Sequence, residues 1–364
     1  MPTAAQLLDL DGVSRRSSTI RYDLLDATLT KIGEIDAPDR EQPPAVTNNV
    51  NRTIKRTMDN LVLPPSVEAD VDTIADRIRP MWLVGGEEFE CGVFLWADAS
   101  RRRRSYGLHL DGALIDQTLI LDQPLHYGVS YPEGISITAA IDELTTDIPN
   151  RSISPSSYQI GNPVAWPVGT SRFQILAELC AMIGYFSPYF DNGGTMVVRP
   201  ATDLASVAAE HTYEAGGRIV DGTIVESDDL LDAPNLYVVI GSGANDAEVY
   251  GTFEVPDEAP YSLLNRGFYV TDVWESQGIT DSAQAAATAA ARYASDSSTY
   301  RWVEFESTPD PRHDTFGVVQ FLGALYREQE WVLTLREGVA MRHSLRRIYG
   351  SINEGSGAPD TLGA

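Results

Sequence analysis

Residues able to do chemistry are plentiful in this sequence, but they do not stand at the spacings that chemistry uses. The five histidines are His109, His126, His211, His313 and His343. No two lie at metal-ligand spacing, and H-E-x-x-H and C-x-x-C are both absent. A surface or capping role is expected for each. Cys91 and Cys180 fall in apolar surroundings, one in an expected strand and one in an expected helix, and read as small buried hydrophobes. Carboxylate pairs such as Glu87-Glu88 and Asp228-Asp229 occur, but with 52 acidic residues in the chain such pairs arise by chance. A glycosidase needs two carboxylates about 5–10 Å apart in a cleft, a relation that linear order does not show. Asp9-Leu10-Asp11-Gly12 opens like a calcium loop and then lacks the later acidic ligands. Gly241-Ser242-Gly243 follows an expected strand with no helix after it, so it reads as a turn; nucleotide-binding glycine loops and the G-x-S-x-G elbow are missing. No catalytic, cofactor-binding or metal-binding residue is therefore assigned, no cofactor is expected, and the chain is expected not to be an enzyme.

Charge is the strongest compositional fact. Asp and Glu total 52 against 27 Lys and Arg, a formal charge of -25. Such a surface repels nucleic acid as a ligand. It suits either plain solubility or the wall of a channel that DNA crosses without sticking. Lysine occurs only at Lys31 and Lys55, every other basic residue being arginine, a bias that fits a high-GC genome. Arg101 to Arg104 form a basic run placed after a strand, where they read as a loop, either pairing with an acidic neighbour, another subunit included, or plainly solvated.

The elements that must carry these residues are mostly strands. Thr19–Leu25, Thr28–Ile35 and Thr53–Leu63 are short strand-like runs cut by Gly, Pro and Asp. Val71–Arg79 reads as a short helix or a loop ending at Pro80. Met81–Val84 and Glu88–Ala97 form an expected hairpin around Gly85-Gly86, and Ser105–Leu121 is strand-like again. Helical spacing appears in Ser136–Thr145 and in Ser171–Tyr185, the latter with Thr170 as N-cap and Phe173, Leu176, Ala177, Cys180 and Ile183 as its buried stripe. Asp191-Asn192-Gly193-Gly194 predicts a hairpin with a type I′ turn. Strands return at 218–227, 235–240 and 248–255, the alanine-rich run 281–294 predicts a helix that another backbone can approach closely, and strands follow at 300–307, 315–322, 330–336 and 343–349.

The expected organisation is mainly β with an α/β insertion. It comprises a leader over 1–17, a first antiparallel β domain over 18–120, a small α/β domain over 121–212, a second β domain over 213–350 with a helical excursion at about 256–297, and a tail over 351–364. No apolar run approaches the ~18–20 residues of a spanning helix, and Met1–Leu10, with Asp9 and no basic stretch, does not read as a secretory signal. A soluble protein made in a cytoplasm is expected, with no membrane insertion.

The order of features in the last third carries a resemblance. Asn235 to Val239 begins a strand, Pro260-Tyr261-Ser262 opens the excursion, and the alanine helix follows. Tyr300–Ser307 then meets Thr308-Pro309-Asp310-Pro311, with Phe316-Gly317-Val318-Val319 close behind and Gly338–Arg347 closing the run. This resembles the C-terminal half of the tail hub proteins of long-tailed bacteriophages, which share the contractile-tail baseplate hub fold. Arg21 to Asp26, Ile54-Lys55-Arg56, Arg77 to Pro80 and Gly92-Val93-Phe94 are similar to minor tail proteins of phages infecting high-GC Gram-positive bacteria.

The resemblance implies two tube-like antiparallel β-barrel domains per chain and a homotrimer forming a pseudo-sixfold ring. That ring would join the sixfold tail tube to the threefold tip and line the DNA channel, in a virion tail tip assembled in the host cytoplasm. The implied partners are the tail tube or distal tail protein, the tape-measure protein, and a central fibre or other tip protein, with genome DNA as passing cargo only. Three other readings stand beside it: another tail-tip component such as a distal tail or receptor-binding protein, a cell-wall hydrolase, and a hub relative in a contractile injection device.

Overall fold

The computed structural model describes residues 18–35, 43–63, 71–104, 107–201, 207–228, 231–243, 248–276, 278–295, 301–347 and 349. The expected leader and tail lie outside the described residues. Nine strands come first: β1 (Thr19–Leu25), β2 (Lys31–Ile35), β3 (Ala45–Asn49), β4 (Arg56–Leu63), β5 (Arg77–Val84), β6 (Glu87–Glu90), β7 (Phe94–Trp96), β8 (Ser100–Arg104) and β9 (Gly107–Asp116). A mixed section follows with α1 (Thr118–Leu121), β10 (Val129–Tyr131), α2 (Ile137–Leu144), β11 (Arg151–Ile153), β12 (Val164–Trp166), α3 (Arg172–Met182), β13 (Tyr189–Phe190) and β14 (Met196–Val198). The remainder is β15 (His211–Tyr213), β16 (Val225–Asp228), β17 (Leu236–Ser242), β18 (Glu248–Glu254), α4 (Leu263–Arg266), β19 (Thr271–Ser276), α5 (Ser282–Ser295), β20 (Arg301–Ser307), β21 (Val318–Phe321), β22 (Ala324–Thr334) and β23 (Met341–Arg347). The chain is mainly β with helices inserted.

One sheet dominates, in the order β16-β20-β23-β22-β3-β4-β9-β7-β5-β1-β2, with β6, β8, β15 and β21 pairing off that path. Its central joint is the antiparallel pair β22–β3, registered from Glu330 opposite Asn49 to Thr334 opposite Ala45. Strands from the two ends of the sequence thus share one sheet. Among the described residues the path stays open from β16 to β2, so the closed barrels implied by the resemblance are not formed within one chain: β22 hydrogen-bonds to β3 and merges the two strand sets instead of each closing on itself. The same mixing shows in the interior, where Tyr22, Met58, Leu61, Ile78, Trp82, Phe94 and Leu114 pack with Trp331, Leu333 and Met341. Alternation along β3 puts Val46 and Asn48 inside, as a half-buried strand requires.

The helices gather in a second body. The sheet β18-β17-β19 lays Tyr237 and Val239 against Ala285, Ala289 and Tyr293 of α5, and that core continues into Ile137 and Ile141 of α2 and Leu176, Leu179 and Cys180 of α3. Contact between α5 and β18 is backbone to backbone. A Cβ on Gly251 would overlap the main chain of Ala285 and Ala286, so only glycine on the strand and alanine on the helix allow this approach. No helix among the described residues is long and apolar enough to cross a membrane.

Several local expectations are corrected. Val71–Arg79 is neither helix nor loop throughout: after a turn, β5 begins at Arg77 and runs through Pro80, which sits opposite Tyr22 on one side and accepts from the Cys91 N–H on the other. Proline is tolerated there because only its carbonyl is used. The α3 cap is Ser171, whose hydroxyl accepts from the Gln174 N–H, and not Thr170. The turn at Asp191 is wider than a two-residue I′ hairpin. Asp191 Oδ1 accepts from the Gly193 and Thr195 N–H groups, and only Gly194 takes a positive φ, at 81°.

Candidate functional site

The segment Thr308 to Phe316 between β20 and β21 holds the densest buried polar chemistry among the described residues, and it lies where the two strand sets meet. Asp310, fully buried, accepts from Arg218 Nη1 at 2.9 Å and from Arg312 Nε at 2.7 Å, with His211 Nδ1 at 3.6 Å. Burial pushes the Asp310 carboxyl up, but Arg312, His211 and Arg218 outweigh it and hold the group well below the usual carboxylate range. Three residues on, His313 stacks on His211 with ring centroids 3.7 Å apart. Next, Asp314 accepts from Arg56 Nη2 of β4 at 2.7 Å, and the Thr315 hydroxyl donates to Asn48 Oδ1 of β3 at 2.7 Å. One loop therefore fastens β15, β20 and β22 to β3 and β4.

Beneath it runs a chain of hydrogen bonds. Tyr213 Oη lies 2.7 Å from His313 Nε2, and His313 Nδ1 lies 2.6 Å from Glu328 Oε2. Glu328 Oε1 lies 2.6 Å from His343 Nδ1, and His343 Nε2 lies 2.9 Å from Ser307 Oγ, which donates to the Thr308 carbonyl at 2.8 Å. One assignment of protons satisfies every donor and acceptor. Tyr213 donates to His313, His313 to Glu328, a protonated Glu328 to His343, and His343 to Ser307. It leaves each member uncharged, which burial of all of them favours. Burial acts in the same sense: it pushes the Glu328 carboxyl up, the His343 imidazole down to about 4 and the His313 imidazole well below its usual value. His211, Asp310 and His313, and again His313, Glu328 and His343, are close enough to share an ion. All four nitrogens of His313 and His343 are, however, already engaged in hydrogen bonds, so the arrangement is a proton-ordered core and not an open coordination sphere.

The opposite, solvent-facing side of the same strands is acidic. Thr223, Val225, Glu304, Glu306, Glu330 and Arg342 line a shallow groove of about 350 Å³ there.

His211, His313 and His343 come together although 102 and 30 positions of chain separate neighbours, a convergence that linear spacing does not reveal. His126 is exposed, edge-on to Tyr127, and the His109 side chain lies outside the described residues. Cys91 and Cys180 are buried free thiols; burial pushes Cys91 up to about 12 and Cys180 upward too. Glu88 pairs with Arg21 at 2.9 Å and Asp228 with Arg301 at 2.8 Å, while Asp229 lies outside the described residues. Arg101 to Arg104 lie in a strand, β8, paired with β9, and not in the loop expected. Gly241 and Ser242, expected in a turn, are instead the last two residues of β17, paired with Val249 and Glu248, and Gly241 lies close against the Ile279 carbonyl. The signal for the histidine core was present in β23, where Met341, His343 and Leu345 alternate inward, so His343 occupies an apolar-phase position.

No family model matches the sequence, and no curated protein sequence matches it. Solved structures do match. A tail protein from Neisseria meningitidis MC58 superposes with a TM-score of 0.60 at 11% identity, covering 91% of this chain and 96% of that one. The 43 kDa tail protein of prophage MuSo2 from Shewanella oneidensis gives 0.59 at 14% identity, covering 91% and 98%. The E. coli c3393 protein, a type VI secretion component described as similar to the T4 bacteriophage tail proteins gp27 and gp5, gives 0.51 at 7% identity, covering 93% and 76%.

Proposed function

The fold is that of phage tail and baseplate hub proteins, and from it we propose that this chain is a structural, non-enzymatic component of a tail tip. Three copies form a ring of pseudo-sixfold outline that joins the tail tube to the tip and lines the channel. The observation that carries this reading is the extent of the likeness: nine-tenths of this chain superposes on nearly the whole of a tail protein and of a prophage tail protein. Two features support it. The loop at Asp310 locks two strand sets into one sheet, giving a rigid body suited to bearing load. The groove sets Glu304, Glu306 and Glu330 against Arg342, and in a chain of charge -25 it fits a wall from which DNA is repelled on balance. Partners on this reading are the tail tube or distal tail protein, the tape-measure protein and a fibre or other tip protein, with the virion as location.

Light scattering on the purified chain, with negative-stain images in the presence and absence of a tail-tube protein, tests the reading. A trimeric ring is the expected result, and a chain that stays monomeric under both conditions overturns it. The likeness to the type VI component favours a second reading, a hub in a contractile injection device, which keeps the same ring and changes only the particle.

A further inference from the structure

The loop between β20 and β21 is held by side chains and not by a ladder. Among the described residues, no main-chain hydrogen bond ties 309–316 to a strand. The nearest run from the Thr308 N–H to the Arg218 carbonyl at one end and from the Glu328 N–H to the Gly317 carbonyl at the other. Between them, Asp310 receives Arg218, Asp314 receives Arg56, and the Thr315 hydroxyl donates to Asn48. The carbonyls of His313 and Asp314 accept from Asn192 Nδ2 at 3.0 Å and from Trp331 Nε1 at 3.3 Å. The loop ends on Phe316, a bulky residue at φ 61°, stacked on Phe186 with ring centroids 4.0 Å apart. Such a left-handed conformation persists only while its surroundings hold it.

His313 stands at the centre of this seat with no room for a charge. The His211 ring of β15 lies over it, tilted by 11°, and the His343 ring of β23 is 4.9 Å away. Its two nitrogens are taken by Tyr213 of β15 and Glu328 of β22. The other charged neighbours are Asp310 and Arg312 of the same loop and Arg218 beyond β15, with Glu210 next to His211 and acting on Glu328. Two guanidiniums thus face one carboxylate before any histidine is protonated. Burial first, and then His211, keep the His313 imidazole well below its usual value. A proton settles on that ring only when the ring leaves for water.

We propose that residues 308–316 form an acid-operated latch, which lifts from its seat as His313 takes up one proton while the sheet on either side stays paired. The proton count sets the response. Released into water, His313 binds a proton below about pH 6.5. Glu328 and His343, wetted together, pass between them the proton that Glu328 already carries and take none from solution. The open state therefore gains about tenfold in population for each pH unit below 6.5, and changes little above it. What opens is local. Thr315 and Asp314 let go of Asn48 and Arg56, so the two strand sets stay joined by the β3–β22 ladder and the core beneath it but lose the fastening across their seam. The molecule is stiff near neutrality, and in acid one set can shift on the other, whichever particle carries it.

Amide exchange of the full chain between pH 7.5 and 5, corrected for the intrinsic rate at each pH, tests this. Protection at Thr308, Arg312 and Thr315 is expected to fall about 30-fold from pH 6.5 to 5, while residues 341–347 of β23 keep theirs. Emission from Trp331, whose indole donates to the Asp314 carbonyl, is expected to change over the same range, a change that Trp331→Phe removes. His313→Gln takes away the proton acceptor, and its loop is expected to show no loosening in acid. Loop and strand that lose protection together, or a loop indifferent to pH, overturn the latch. Loosening that persists at full slope in His313→Gln overturns it too. If that variant does not fold, the comparison of loop with strand in the unaltered chain still decides.

Discussion

Arg56 and Asp314, 258 residues apart in the chain, meet at 2.7 Å across the seam between the two strand sets. The guanidinium is 1% exposed and stands 5.5 Å from the Trp331 ring centroid, while the carboxylate is about one-third exposed. Arg56→Ala removes the fastening and the ring contact but leaves Asp314 able to hydrate, so the expected loss is about 2–3 kcal/mol. Urea unfolding of the two proteins measures it. Arg56→Lys should recover only part, because an ammonium cannot both reach Asp314 and lie flat over Trp331.

Asp310→Ala should cost more. Its carboxylate is fully buried and receives two arginines, both of which lose that ion pair when it goes. A loss of about 3–5 kcal/mol is expected, read as a fall in the midpoint of chemical unfolding. An Asp310→Asn variant with unchanged stability would show that shape alone, and not charge, seats the loop.

The Tyr213–Ser307 chain predicts an optimum in stability against pH. The unfolded histidines gain protons near pH 6.5, whereas His343 and His313, held below that value when folded, do not. Acidification below about 6.5 therefore favours the unfolded chain at ~1.4 kcal/mol per pH unit for each histidine. Glu328 works the other way. Its carboxyl, raised when folded, already holds a proton that the unfolded chain lacks above its ordinary value, so stability contributed there falls as pH rises. Two histidines against one carboxyl give a net fall on the acid side. Melting temperatures across pH 4.5–8 should decline below about 6.5 in the wild type, and less steeply in His343→Gln.

Gly251→Ala tests the close packing of α5 on β18. The added methyl meets main chain and not a flexible side chain, so neither element can give without shifting. A loss of about 1–3 kcal/mol in thermal unfolding is expected, larger than for the same change at solvent-facing Gly134.

How much of this was legible in the sequence depends on range. The strand Thr19–Leu25 was read with its observed limits, and the alanine helix was read at 281–294 against 282–295, because apolar period and intrinsic propensity are local signals. The joint between β3 and β22 was not legible: Asn49 and Glu330 carry no mark of each other, and a strand edge does not name its partner. The histidine core was hidden for the same reason. Asp310 belonged to a passage that drew notice by resemblance, but its arginine partners sit 92 residues upstream and 2 downstream. Tyr213 and Ser307, which end the hydrogen-bond chain, are unremarkable in sequence.

The seam between β3 and β22 also sets a schedule. A ribosome that has delivered Asn49 must still deliver the chain to Thr334 before that strand can find its neighbour, a wait of roughly 15–60 s at ~5–20 residues per second. Until then β3 and β4 emerge as a hairpin with an open flank. Folding limited by contacts this distant in sequence is slow. Expression at reduced temperature, or with holdase chaperones that shield the nascent hairpin, should raise the soluble yield more than any change to the mature surface.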